Sequence, residues 1–114
     1  MHTVIELPQF IRRAKACGVT DDERTAMIDF IAATPQCGDE MPGTGGARKV
    51  RFAKPGQGKR GGYRIITFYS GVDIPVFLLS MFAKNEKSDM SQSEKNELGK
   101  LLKILPESYR EKKK

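Results

Sequence analysis

The sequence predicts a single α+β domain, with a helix pair near the N-terminus, an antiparallel sheet of three to four strands and a C-terminal helix. Two capping boxes, in which a Thr or Ser is followed three residues later by Glu, indicate helix starts after Thr20 and Ser91. Between them the apolar period changes to two, which is typical of strands. At 114 residues the chain has the size of one domain, and we expect residues 1–114 to share one core.

The N-terminal part is expected to hold a short strand and two helices. Residues 3–6 (TVIE) have the composition of a strand. The first helix is expected to begin at Pro8, because proline at the first helical position loses no needed N–H, and to end at Gly18. The second is expected to follow the Thr20 cap and to end near Thr34, before a proline.

The first strand of the predicted sheet has different chemistry on its two faces. In ARKVRFAK, residues 47–54, Val50 and Phe52 alternate with Lys49 and Arg51. Because side chains alternate across a strand, one face is expected to pack and the other to be solvated or functional. Lys49 and Arg51 are therefore expected to be neighbours in space.

The other strands are expected in YRIITFY, residues 63–69, and VFLLSMF, residues 76–82. The latter is apolar on both faces, which indicates an interior strand. Residues 54–62 (KPGQGKRGG) are expected to form the hairpin connection, since Pro and Gly cannot sustain a ladder. In the last helix, leucines spaced at i, i+3, i+4 and i+7 indicate a core-facing stripe. Residues 106–114 are expected to form a loose basic tail.

Most of the positive charge is concentrated in residues 43–64. The net charge is +6, and this segment holds seven Lys or Arg and no carboxylate, so the rest of the chain is close to neutral. A cationic patch on a neutral body is typical of a nucleic-acid binder, because phosphate contact gains from counterion release and electrostatic steering. The alternative is a solvated charged face, which the lack of interspersed acids disfavours.

Several other kinds of site are not indicated. Cys17 and Cys37 have no Cys or His at ligand spacing, and the single histidine, His2, is expected at a frayed terminus, so neither a metal nor a cofactor is expected. The loop AKPGQGK, residues 53–59, departs from the P-loop at its first glycine and at Arg60. The GTGG turn is better explained by backbone with positive φ than by a phosphate cradle. With no membrane span or signal peptide apparent, a cytoplasmic protein is expected.

A platform of Lys and Arg on adjacent strands could help to cleave RNA as well as bind it. When a 2′-hydroxyl attacks the phosphate, charge builds on the non-bridging oxygens, and fixed cations stabilise that transition state. A lysine crowded by other cations is driven toward its neutral form and could accept the hydroxyl proton. Lys49, flanked by Arg48 and Arg51, is the candidate for this role.

Three motifs, G-T-G-G-x-R-K at 43–49, G-K-x-G-G-x-R at 58–64 and F-x-K-N-E-K at 82–87, stand out in the chain. Together they resemble the RelE/HigB-like toxins of bacterial type II toxin–antitoxin systems, from ELPQF at residue 6 to the last helix. The resemblance implies a curved sheet and a metal-independent, ribosome-dependent mRNA endoribonuclease that inhibits translation. It also implies a cognate antitoxin, often a helix-turn-helix DNA-binding protein.

The resemblance also implies roles for individual residues. By position, the basic strand pair of the family falls on Lys49 and Arg51, and the arginine of its G-Y-R strand falls on Arg64. Lys49 would be the base or a transition-state stabiliser, and the two arginines would clamp the phosphate. These three residues must converge on one exposed side of the sheet for the nuclease interpretation to hold.

After the third strand the sequence departs from the family pattern. Where family members place a basic residue and a tyrosine, Asn85 and Ser91 stand nearby. Lys84 is the nearest remaining cation and could donate a proton to the leaving 5′-oxygen. Tyr63 could stack on a base, although a half-buried strand aromatic is an equal interpretation. The other cations predicted to bind RNA are Arg48, Lys54, Lys59 and Arg60.

Two further functions stay open at this point. Relatives on the same scaffold inhibit DNA gyrase, and a basic domain could also bind RNA or the ribosome without cutting. A gyrase inhibitor has no need for a phosphate-facing trio, so Lys49, Arg51 and Arg64 favour a nuclease over that alternative. The trio does not separate a nuclease from a non-catalytic binding module.

Overall fold

The chain folds as a five-stranded sheet with helices on both faces. The computed structural model describes residues 2–53, 62–84 and 89–112, with side chains described as far as residue 108. Over these residues the elements are, in chain order, β1 (Val4–Glu6), α1 (Pro8–Ala16), α2 (Asp21–Ala33), β2 (Asp39–Glu40), β3 (Arg48–Phe52), β4 (Tyr63–Phe68), β5 (Val76–Ala83) and α3 (Gln92–Lys112). The predicted α+β class, with its helix pair and C-terminal helix, is confirmed.

Both capping boxes form as predicted. The backbone N–H of Glu23 donates to the Thr20 hydroxyl at 3.1 Å, and the Thr20 N–H donates to the Glu23 carboxylate at 3.0 Å. Ser91 and Glu94 make the same two bonds at 3.1 and 2.8 Å at the start of α3. This helix then continues past Pro106, where we expected a tail to begin, and ends at Lys112.

The sheet differs from the expectation in two respects. Its strand order is β1-β5-β4-β3-β2, and β1 lies parallel to β5 with Val4 opposite Val76, whereas the other pairs are antiparallel. In addition, Asp39–Glu40 forms an edge strand against β3. Two exposed acidic residues carry no strand pattern, so this strand could not be predicted from the sequence.

The two faces of the sheet pack against different helices. The cluster beneath α1 and α2 includes Phe10, Met27, Ile31, Val50, Tyr63, Ile65, Leu78 and Met81. The cluster on the opposite face includes Leu98 and Leu102 of α3 with Ile66, Phe68, Phe77, Leu79 and Phe82. Strand β5 supplies apolar side chains to both clusters, which confirms the interior position expected from VFLLSMF. We call the face of the sheet beneath α1 and α2 the two-helix face, and the opposite face, against which α3 packs, the α3 face.

The GTGG segment, residues 43–46, is a tight loop that leads into β3. Its three glycines have φ values of 81°, 81° and 118°, as predicted for this turn. The buried hydroxyl of Thr44 donates to the Met41 carbonyl at 2.7 Å and accepts from the Ala47 N–H at 3.0 Å. Gly99 of α3 lies close by, where an added Cβ would be 3.8 Å from the Thr44 carbonyl oxygen. The loop therefore fixes the start of β3 and supports α3.

His2 is held by contacts on both its backbone and its ring, which contradicts the expectation that it is frayed. The His2 backbone N–H donates to the Ala32 carbonyl at 2.9 Å, and its ring Nε2 lies 2.6 Å from the Ile74 carbonyl oxygen. The ring also meets Tyr69 edge to face, with centroids 5.0 Å apart. These contacts hold the His2 ring against the connection between β4 and β5.

Within the described residues, no helix is both long enough and apolar enough to cross a membrane.

Candidate nucleic-acid interface

Strands β3 and β4 place Lys49, Arg51 and Arg64 on the α3 face. Val50 is 2% exposed and packs beneath α1 and α2, so its neighbours Lys49 and Arg51 point to the opposite face. Arg51 lies directly opposite Arg64 in the antiparallel register, and residues that are directly opposite share a face. The three basic side chains that the sequence analysis selected therefore do share one face.

The two arginines lie opposite each other in the register, and no carboxylate of the described residues is paired with either. Among the described residues, no carboxylate forms an ion pair with Arg51 or Arg64. Arg64 is only 7% exposed, and its Nη1 donates to the Tyr63 carbonyl at 3.3 Å. Burial, and secondly the charge of Arg51, lower the pKa of the Arg64 guanidinium from its ordinary value. Because like charges directly opposite each other destabilise a sheet, this pair favours binding of an anion.

Asp89 forms ion pairs with two lysines, Lys49 of β3 and Lys95 of α3. The Lys49 Nζ lies 3.5 Å from Oδ1 of Asp89, and the Lys95 Nζ lies 3.3 Å from Oδ2. Burial raises the pKa of Asp89, but hydrogen bonds from Met90 and Lys95 and the charge of Lys49 lower it by more, so the carboxyl lies below its ordinary pKa. Sequence reasoning missed Asp89 and Lys95, since only the packing of α3 brings them to β3.

Lys84 lies at the end of β5 next to the start of β4. It is exposed, and its backbone N–H donates to the Gly62 carbonyl at 3.1 Å. Phe82, two positions earlier, is opposite Arg64 in the register. Lys84 is thus at the same end of the sheet as the arginine pair. The other predicted residues Lys54, Lys59, Arg60 and Asn85 lie outside the described residues.

Two residues predicted to contact RNA belong instead to the two-helix face. Tyr63 is 2% exposed within the core beneath the helices, and its hydroxyl lies 3.5 Å from the Glu23 carboxylate, so it cannot stack on a base. Arg48 lies two residues before Val50 on β3 and therefore points to the same face as Val50. Its Nη1 donates to the Gly38 carbonyl at 3.2 Å. Strand alternation turns both side chains away from Arg51. The predicted stacking of Tyr63 is wrong because its ring is buried, whereas an RNA contact of Arg48 would lie off the face that holds the arginine pair.

Ser91, which stands near the place of the family's tyrosine, serves as the N-cap of α3. Its backbone N–H and its hydroxyl oxygen are both engaged with Glu94. The hydroxyl therefore orders the helix that carries Lys95. This structural role gives a physical reason for a serine at that position.

The fold and the cationic α3 face define a small α+β protein whose sheet is suited to hold an anion. The family model described as the RelE toxin of the RelE/RelB toxin–antitoxin system matches residues 4–113, which is nearly the whole chain. The chain therefore belongs to the RelE toxin family. This confirms the resemblance that the three sequence motifs indicated.

Proposed function

We propose that this protein is a toxin that cuts messenger RNA on the ribosome, without a metal, and is silenced by a cognate antitoxin. The observation that carries the proposal is the opposed pair of Arg51 and Arg64, which has no carboxylate partner among the described residues and lies beside Lys49. An RNA phosphodiester bound there would relieve the repulsion between the guanidinium groups. Membership of the RelE family supports the toxin role and the antitoxin partner.

In the proposed reaction, the 2′-oxygen of one nucleotide bonds to its own 3′-phosphorus while the bond to the next 5′-oxygen breaks. The 2′-hydroxyl would pass its proton to solvent water, and the 5′-oxygen would gain one from the Lys84 ammonium. Negative charge grows on the non-bridging oxygens, and the guanidinium groups of Arg51 and Arg64 would stabilise it. The burial of Arg64 strengthens this effect, since water screens a buried charge less.

Of the two roles open to Lys49, its ion pair favours that of a charge stabiliser. The contact with Asp89 at 3.5 Å is one between an ammonium and a carboxylate, and an ammonium has no electron pair with which to accept a proton. Lys84, exposed at the end of β5, is the proposed donor to the 5′-oxygen. A lysine can act in this way when it stays protonated until the bond breaks.

A second candidate is a module that binds RNA or the ribosome without cutting it. The observation in its favour is the burial of Tyr63 together with the use of Ser91 as a helix cap, which leaves neither available as a proton donor. The two candidate functions differ only in whether the bound RNA is cut, because both use the α3 face with Lys49, Arg51 and Arg64 for binding. Mapping of RNA ends therefore separates them.

The test is cleavage of a messenger RNA on purified ribosomes, with 5′ ends mapped for the wild type and for Arg51→Gln and Arg64→Gln. We expect codon-phased cuts by the wild type and a loss of roughly 10²-fold or more in each variant, as for removal of one transition-state donor. Arg48→Gln is the matched control, since Arg48 lies on the same strand but on the other face. It should cut like the wild type.

The other possible results identify the alternative functions. A wild type that binds ribosomes and leaves the message intact supports the non-catalytic module. Linearised DNA after induction in bacteria supports gyrase inhibition. Equal cutting by wild type and Arg51→Gln would leave the arginine pair without a role in the reaction.

A further inference from the structure

The Asp89 carboxylate is held between two ammonium groups that come from different elements, Lys49 from β3 and Lys95 from α3. We propose that Lys95 is a second phosphate-binding residue, which acts together with Lys49, and that Asp89 occupies the position of an RNA phosphate in the free protein. The inference rests on the proposed function, because it identifies a further contact to the same RNA.

The geometry of the contact supports this exchange. The two lysines lie 3.5 and 3.3 Å from the two different oxygens of one carboxylate. A phosphodiester likewise presents two non-bridging oxygens that share one negative charge, and ammonium groups bind phosphates as point charges. Two lysines that converge on a carboxylate can therefore converge on the phosphate of an RNA strand.

Lys95 differs from a neighbouring lysine on the same helix. Its side chain is 21% exposed, close to the 27% of Lys49, whereas that of Lys100 is 76% exposed and pairs with Glu97. Lys95 is also the fourth residue of α3, close to the helix N-terminus, whose dipole favours anions. Lys95 thus belongs to the cationic face, and Lys100 to the solvated surface.

The Asp89 carboxylate is suited to be displaced. Its side chain is 42% exposed, and ion pairs at that exposure stabilise a protein only weakly. An incoming RNA strand releases counterions and also meets Arg51 and Arg64 on the same face, which have no ion-pair partner among the described residues. Exchange of a carboxylate for a phosphate therefore keeps the lysines paired and lets the RNA relieve the repulsion between Arg51 and Arg64.

The experiment measures binding of a non-cleavable 2′-O-methyl oligoribonucleotide of about twelve nucleotides, within the usual site sizes of single-strand binders. In Lys95→Met, which keeps the apolar stem, we expect affinity at 0.1 M salt to fall about fivefold and the salt slope to fall by about 0.7, as for one lost phosphate contact. Lys95→Arg should restore both. Lys100→Met, the matched control, should bind like the wild type; a Lys95→Met variant that does so as well overturns the proposal.

The role of Asp89 is tested with Asp89→Asn, which removes the charge and keeps the shape. We expect its affinity for the same oligonucleotide to rise about two- to fivefold, the size of one partly exposed ion pair. Weaker binding in this variant would show that the carboxylate only orders the lysines and would overturn the proposal that an RNA phosphate displaces it.

Parallel assays of ribosomal cleavage separate this inference from the proposed nuclease function. Binding that depends on Lys95 without any cleavage defeats only the nuclease, whereas cleavage with binding indifferent to Lys95 defeats only this inference.

Discussion

Arg51 and Arg64 face each other across β3 and β4, one exposed and the other 7% exposed, and no described carboxylate is paired with either of them. A sheet tuned for stability alone would place opposite charges at such a pair. The arrangement thus costs stability in the free protein. Costs of this kind are common where a protein must hold a charged ligand.

The first prediction is that Arg51→Gln stabilises the fold. Removal of one like charge should raise the free energy of unfolding by about 0.2–1 kcal/mol. Urea titration at low salt measures the gain, which should shrink at about 1 M salt, where charges are screened within a few ångströms. Arg48→Gln loses the hydrogen bond to the Gly38 carbonyl and should show no gain. If both variants lose stability equally, repulsion between Arg51 and Arg64 does not contribute significantly to the free energy of unfolding.

The second prediction is that the Tyr63 hydroxyl, buried beneath the two helices, takes no part in RNA cleavage. Tyr63→Phe keeps the ring in the core and removes only the hydroxyl, which lies 3.5 Å from the Glu23 carboxylate. We expect ribosomal cleavage to be unchanged, with a loss of about 1 kcal/mol or less in the free energy of unfolding. Burial, and then the Glu23 charge, raise the pKa of the phenol, so it stays neutral at the pH of the assay. A large loss of cleavage in a folded Tyr63→Phe variant would contradict this placement.

Local signals in the sequence were sufficient for most of the fold. The Thr20 and Ser91 boxes set two helix starts through bonds within four residues, and the alternation in β3 put Lys49 and Arg51 on one face. Arg48 could also have been placed from the sequence, because it has the same parity as Val50. Arg48 was grouped with Arg51 because the charge of the segment was considered without the alternation of its side chains.

The parts that the sequence did not reveal depend on contacts between distant segments. The parallel pairing of Val4 with Val76 follows from the path of the chain and not from the residues of β1. Asp89 and Lys95 reach Lys49 only because α3 packs across the sheet. The motif G-T-G-G pointed to a turn, but its link to α3 through Gly99 requires the tertiary structure.

The third prediction is that Gly38→Ala destabilises the edge next to Lys49. Gly38 has φ of +91°, and an added Cβ would lie 2.8 Å from the Lys49 carbonyl oxygen and from Val50 Cγ2. Left-handed backbone costs about 1–2 kcal/mol and overpacking about 1–3 kcal/mol, so we expect a loss of about 2–5 kcal/mol. Gly18→Ala is the control, with φ of +74° and no atom within 4 Å, and should cost only the backbone part. Urea unfolding of both variants measures the difference; equal losses would mean that β2 can move aside.

The fourth prediction is that Thr67→Val stabilises the protein. Thr67 is 1% exposed, and its hydroxyl has no hydrogen-bond partner among the described residues. Valine has nearly the same shape and removes the desolvation penalty of an unsatisfied hydroxyl, so we expect a gain of about 1–3 kcal/mol in the free energy of unfolding.

Thr44→Val is the matched control, because Thr44 is equally buried but its hydroxyl bonds to Met41 and Ala47. That variant should lose stability by a similar amount, since the Ala47 N–H loses its partner and the Met41 carbonyl keeps only the longer bond from the Thr44 N–H at 3.4 Å. Urea midpoints that move in opposite directions support the assignment, whereas a loss in both would mean that the Thr67 hydroxyl is satisfied in solution.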